Sequence, residues 1–224
     1  MLEVLEKRVT IGSERRDNEP IPLLAVAQIY KRDVPDMPVP DGMDLLQILW
    51  CPFDAHGADN GLDVRLKWRR SEDVAGQPSR REEPEVVGSD GYFPQSCVLH
   101  PERVAEFPDI EVLPVSLQEQ LEAVPYQLDL SIAPGWKVAG FPSWHLTGPV
   151  ELNCDCGAPM DLLLSMDSKE WDRGNRSWVP MEDMDRIGRH HASRPTELIV
   201  GRAGQLRMFV CSVDPLHPYR LDEQ

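Results

Sequence analysis

The sequence predicts a β-rich α+β protein built from two duplicated halves with a few short helices. Three observations lead there. The apolar runs are short, carry Ile, Val and Trp, and are bounded by proline, glycine or aspartate, a pattern that suits strands. Helical spacing is clear only once, and briefly. Two stretches of the first half also align without a gap on two stretches of the second, the mark of an internal repeat.

Residues 1–19 read as a polar, charged segment. "PIPLLAVAQIY" (20–30) holds an apolar run short and proline-flanked enough for a buried strand to compete well with a helix. "DLLQILWCPFD" (44–54) reads as a strand between Asp41-Gly42 and Pro52. "DVRLKWR" (63–69) alternates, with Val64, Leu66 and Trp68 on one face. Residues 70–91, dense in charge, proline and glycine, predict a long exposed loop with few core contacts. "PVSLQEQLEAV" (114–124) is the clearest helix. There Ser116 is placed to cap the amide of Glu119, Leu117, Leu121 and Val124 form a stripe, and Pro125 ends the run. "PGWKVAGFPSW" (134–144) is turn-rich, a second irregular loop spans about 172–195, and "TELIVGRAGQLRMFVCSVD" (196–214) predicts a β-hairpin around Gly201 to Gly204.

In the repeat, "DLLQILWCPFD" lies over "GQLRMFVCSVD" (204–214), so that Leu46 meets Leu206, Ile48 meets Met208, Cys51 meets Cys211 and Asp54 meets Asp214. "PLLAVAQI" (22–29) likewise lies over "PMDLLLSM" (159–166). The predicted organisation is a polar segment 1–19 and a first half 20–125 carrying the 70–91 loop and a 115–124 helix. A second half, 126–224, packs with the first as one globular unit.

Acidic residues outnumber basic ones 38 to 23, for a formal charge of −15, so the summed field repels phosphate backbones and anionic lipid. Nucleic acid and membrane are therefore poor partners and a basic protein surface a good one; solubility alone also accounts for such a charge. Five cysteines behind the polar opening "MLEVLEKRVT" predict reduced thiols in the cytoplasm. No apolar run approaches the ~18 residues of a membrane span.

The cysteines carry the main chemical signal. In an extended segment Cys154 and Cys156 present both sulfurs to one face, Cys211 is available as a third ligand, and His217 or Asp214 as a fourth, a donor set that suits a structural zinc ion. The usual C-x2-C spacing is missing, and ordinary thiols are the competing reading. A disulfide within Cys154-Asp155-Cys156 is disfavoured, because two residues of strand hold the Cα atoms about 6.6 Å apart. A redox role would ask for C-x-x-C at a helix start, which is absent.

No nucleophile elbow, phosphate-binding loop, dinucleotide fingerprint or H-E-x-x-H motif occurs. His190-His191 lies in the polar loop, and His56 and His100 stand alone. Trp136, Trp144 and Trp178 lie in or beside irregular segments and are candidate recognition residues; as an alternative, they lid a proline-rich core.

Together, "PLLAVAQI", "DLLQILWCP", "GWKVAGFPSW", "CDCGAPMDLLLSMDS" and "GRAGQLRMFVC" resemble the YwqG-like family of bacterial proteins, related to eukaryotic programmed cell death protein 2. The resemblance spans most of residues 20–214. It implies a duplicated, mainly antiparallel β architecture and a non-catalytic protein-binding role, chaperone-like or immunity-like, toward a basic partner. Family members with a fuller cysteine set end the last strand in C-x-x-C-P, where this chain has "CSVDP", with Asp214 in the second cysteine's place. The alternative function is a zinc-dependent hydrolase in a cleft between the halves, with Cys154, Cys156 and Cys211 as ligands and an open fourth position.

Overall fold

A computed structural model describes residues 10–11, 20–76, 84–172, 174, 176–189 and 191–224. Most of the polar segment 1–19, the centre of the 70–91 loop and His190 lie outside them. The chain divides into two compact units, Met1–Tyr30 with Gly42–Pro94, and Lys31–Asp41 with Gln95–Gln224. The helix near residue 115 thus belongs to the second unit. No helix among the described residues is long and apolar enough to cross a membrane.

The first unit holds β1 (Thr10–Ile11), β2 (Leu24–Tyr30), β3 (Leu45–Trp50), β4 (Val64–Arg69), the one-turn helix α1 (Ser71–Val74) and β5 (Val86–Val87). Strands β2, β3 and β4 form an antiparallel sheet in that order, and β1 pairs with β5 in parallel. Along β4, Val64, Leu66 and Trp68 are covered while Arg65, Lys67 and Arg69 face water, as the alternation predicts. Central β3 buries Leu45 and Leu46 in succession, so both of its faces are covered. Trp50 donates its indole N–H to the Tyr92 carbonyl at 3.0 Å and meets that ring edge-on.

The 70–91 loop contributes more than predicted. Val87 is fully buried, and the Gly88 amide donates to the Pro52 carbonyl at 2.8 Å. Val87, half of the apolar Val86-Val87 pair, anchors this end of the loop by its burial.

The second unit holds α2 (Val115–Leu121), β6 (Lys137–Val138), β7 (Met160–Asp167), β8 (Gln205–Cys211) and β9 (Arg220–Glu223), the four strands antiparallel in that order. Every residue of β8 is buried, and β7 is buried from Leu162 to Met166. These runs are continuous rather than alternating because both faces of the sheet's centre are covered.

Three expectations change here. Helix α2 starts at Val115, one residue early for a Ser116 cap, because the Pro114 carbonyl accepts from Leu117 and Gln118 at 2.8 and 3.1 Å. The helix ends at Leu121, and its apolar stripe is not core: Leu117 and Val124 are 39% and 43% exposed. Nor does 196–214 form a hairpin. Leu198 and Val200 are buried, but Val200 bonds Ser168, and β8 pairs instead with β7 and β9. The place of the expected strand is taken by the C-terminus, where Gln205 and Gln224 exchange backbone bonds at 2.7 and 2.9 Å. A Cβ on Gly204 would sit 1.8 Å from the Gln224 carbonyl oxygen, so the turn needs glycine there.

The duplication is written in the strand registers. In the first unit Leu24 pairs with Trp50, Ala25 with Leu49, Ala27 with Ile48, and so on to Tyr30 with Leu45. In the second, Asp161 pairs with Val210, Leu162 with Phe209, Leu164 with Met208, and so on to Asp167 with Gln205. Under the gapless alignment these are the same pairs in the same order. Both ladders slip by one residue at the same place, at Val26 in β2 and Leu163 in β7. A bulge is a specific feature of a sheet, and its repetition at equivalent residues marks β2–β3 and β7–β8 as copies of one hairpin unit.

Candidate metal centre

"CDCGAP" is a tight turn leading into β7, not the extended segment that alternation suggested. The Gly157 amide donates to the Cys154 carbonyl at 2.8 Å, the Cys154 amide donates to Ala158 at 2.9 Å, and Gly157 adopts φ +86°. Glycine tolerates that left-handed conformation without steric cost, so the chain reverses and folds Cys156 back beside Cys154. Arg220 on β9 pins the turn from outside through an ion pair to Asp155 at 2.8 Å.

Cys211 is the last residue of β8 and pairs with Met160, the first of β7, so the sheet register brings it to the same turn. Beyond it, the Asp214 carboxylate accepts from the Leu216 amide at 2.9 Å and the Asp214 carbonyl from the His217 amide at 3.0 Å. That turn sends the His217 ring back toward the sulfurs. One donor atom from each of Cys154, Cys156, Cys211 and His217 lies within 4.8 Å of the other three. Cys156 Sγ stands 3.6 Å from Cys211 Sγ, and Cys154 Sγ stands 3.5 Å from His217 Nδ1. Zinc–sulfur bonds of ~2.3 Å in a tetrahedron imply sulfur–sulfur edges of roughly 3.7 Å, so the donors sit near the spacing an ion requires. The four residues can hold a metal ion.

Cys154 and Cys211 are buried against Met160, Leu162 and Phe209, whereas Cys156 is exposed and His217 half-buried. The His217 Nε2 faces Asp214 Oδ2 at 3.8 Å while Nδ1 faces the sulfurs, the arrangement in which a carboxylate orients a ligating imidazole. Asp214, open as a ligand from sequence, therefore stands behind His217 rather than in the donor set.

The Asp214 amide bonds the Cys211 sulfur and, with the Val213 amide, His217 and Cys156, draws its pKa down to about 6 against the effect of burial. At Cys154 the Cys156 amide pulls the pKa down, but burial and the neighbouring thiols outweigh it and leave it raised. One thiolate thus forms readily near neutral pH, and the remaining protons leave when an ion binds.

None of the three tryptophans belongs to this cluster. Trp144 is buried with the Arg207 guanidinium 4.1 Å from its ring centre, Trp178 donates to the Leu128 carbonyl at 3.1 Å, and Trp136 is half-buried with its indole N–H enclosed. Trp144 thus packs in the core, the alternative role weighed from sequence. In the first unit the counterpart of Cys211 is Cys51, whose sulfur lies 3.1 Å from His56 Nδ1. Among the described residues that copy brings together no comparable set of four donors.

No family model, curated protein or solved structure matches this chain.

Proposed function

We propose that the protein is a non-catalytic binding module, YwqG-like in build, in which Cys154, Cys156, Cys211 and His217 hold a structural zinc ion and the acidic surface receives a basic protein segment. The observation that carries this reading is the donor set: four candidate protein donors lie within 4.8 Å of one another, enough to fill a tetrahedral ion, whereas catalytic zinc keeps a position open for water or substrate. Three thiolates favour zinc over magnesium or calcium, which prefer oxygen, and their charge weakens the ion as a Lewis acid. The hydrolase reading therefore loses its open position. Bound zinc would tie the turn at 154–157 to the turn at 211–217 and steady the end of the β7–β8 hairpin.

The charge of −15 supports a basic partner, because opposite fields speed encounter and make it dependent on salt. The role is chaperone-like or immunity-like: holding a basic protein without transforming it. The test is affinity capture from the native host at low salt, followed by association kinetics of the captured protein across a salt series. A basic partner whose on-rate falls steeply with salt supports the reading. Recovery of no partner, or of one indifferent to salt, overturns it, and zinc-dependent turnover of an ester or phosphoester panel would restore the hydrolase.

A further inference from the structure

The irregular loop beyond Trp171 forms one wall of a cleft of about 800 Å³ within the second unit. We infer that this cleft is a binding site for a small organic anion, a phosphate or carboxylate head on an apolar body. The first argument is charge. In a chain of −15, the lining carries Lys169, Arg189 and Arg194 against one carboxylate, Asp172, with His145 and His191 beside them. Among the described residues neither Lys169 nor Arg194 forms an ion pair, and Arg189 reaches Asp185 only at 3.9 Å on an exposed surface, where such a pair holds little energy. His145 in this lining is held below its ordinary range by burial first and then by Arg207, with Asp172 pulling the other way.

The second argument is shape and lining. Trp171, Leu128 and Ile187 supply an apolar wall beside the cations. The volume lies in the range of small-molecule sites, which combine apolar walls with a few placed polar groups. A basic protein segment is repelled by this lining, so the site is distinct from the proposed protein surface.

The third argument is the loop itself. Loops disproportionately carry binding residues, and the one beyond Trp171 holds two short 3-10 turns, Arg176–Trp178 and Met181–Arg186, among its described residues. This one is tied to the segment after β7 by the Glu170 amide donating to the Ser193 carbonyl at 2.8 Å, and closes a turn on itself through the Arg194 amide donating to the His191 carbonyl at 2.9 Å. His191 adopts φ +61°, a left-handed conformation costly for a residue with a Cβ, and Gly188 adopts φ +90°. Ile187, Gly188, Arg189, His191, Ser193 and Arg194 of this stretch line the cleft.

Calorimetric titration with phenyl phosphate, phenylacetate, inorganic phosphate and benzyl alcohol tests the assignment. At least one of the two organic anions binds more tightly than inorganic phosphate, and which of them binds identifies the head group; benzyl alcohol binds at least tenfold more weakly. Lys169→Ala with Arg194→Ala weakens binding at least tenfold, and Ile187→Asp, which adds a negative charge at the wall, does so without removing a cation. Absence of binding by both organic anions at millimolar concentration overturns the inference. So does equal binding of benzyl alcohol, or affinity unchanged in either folded variant.

Discussion

Removing the metal should destabilise the second unit far more than any change at the matching position of the first. The sulfurs of Cys156 and Cys211 belong to residues 55 apart in sequence. Cross-linking an unfolded chain across a loop of that length removes about 4 kcal/mol of loop-closure entropy from the unfolded state, and a metal clip acts on the same term. With a urea dependence of roughly 2 kcal/mol/M, chelation then lowers the unfolding midpoint by about 2 M. The assay is urea unfolding at fixed protein concentration, with zinc and after dialysis against a chelator. Cys51→Ser provides the internal control. Cys51 is the counterpart of Cys211 under the alignment but is not among the four clustered donors, so this variant must keep the full chelator-dependent shift, while His217→Ala loses most of it. A chelator that leaves the wild-type midpoint unmoved, or a Cys51→Ser protein that responds like His217→Ala, refutes the staple.

Arg207 is fully buried, donating to the Ser143 carbonyl at 2.7 Å and paired with Asp222, so Asp222→Ala strands a buried cation and should cost about 3 kcal/mol. Adding Arg207→Met recovers part of that loss in a double-mutant cycle, and simple additivity would contradict the pairing. Burial raises the Glu170 pKa to about 7 from 4.5, with the Trp136 amide opposing and Asp167 adding to the shift. Because the folded state holds this proton more tightly, its contribution is fully present below pH 4.5 and is lost as pH rises toward 7. Glu170→Gln should flatten that decline by about 2 kcal/mol, measured as unfolding free energy against pH; a wild-type profile that does not fall over this window contradicts the burial argument. In chelated protein, peroxide should link Cys156 to Cys211, whose sulfurs are 3.6 Å apart, with zinc protecting both; a peptide map that finds Cys97 linked first would contradict the cluster.

The strands were legible where local composition and tertiary burial agree. Leu45 to Trp50 and Met160 to Asp167 are apolar, β-prone and bounded by breakers, and the gapless match between the halves was readable too, whereas the register of the two ladders and the bulge at Val26 and Leu163 were visible only in the structure. Strand β9 was not legible, since "RLDE" is short and polar and is a strand only because β8 offers it an edge. The Ser116 cap misled because Pro114 supplies the first helical acceptor, a competition that residue preferences at single positions do not resolve. At the metal centre the three cysteines were readable as donors but the geometry was not. A glycine turn rather than strand alternation unites Cys154 and Cys156, and the choice of His217 over Asp214 depends on a turn that places one ahead of the other.

The central claim is the ion itself, and X-ray absorption at the zinc edge of protein purified without chelator or affinity tag tests it most directly. The account predicts stoichiometric zinc with three sulfur neighbours at ~2.3 Å and one nitrogen at ~2.0 Å, and no bound water. Protein free of metal, or zinc bound by oxygen and nitrogen alone, would contradict it.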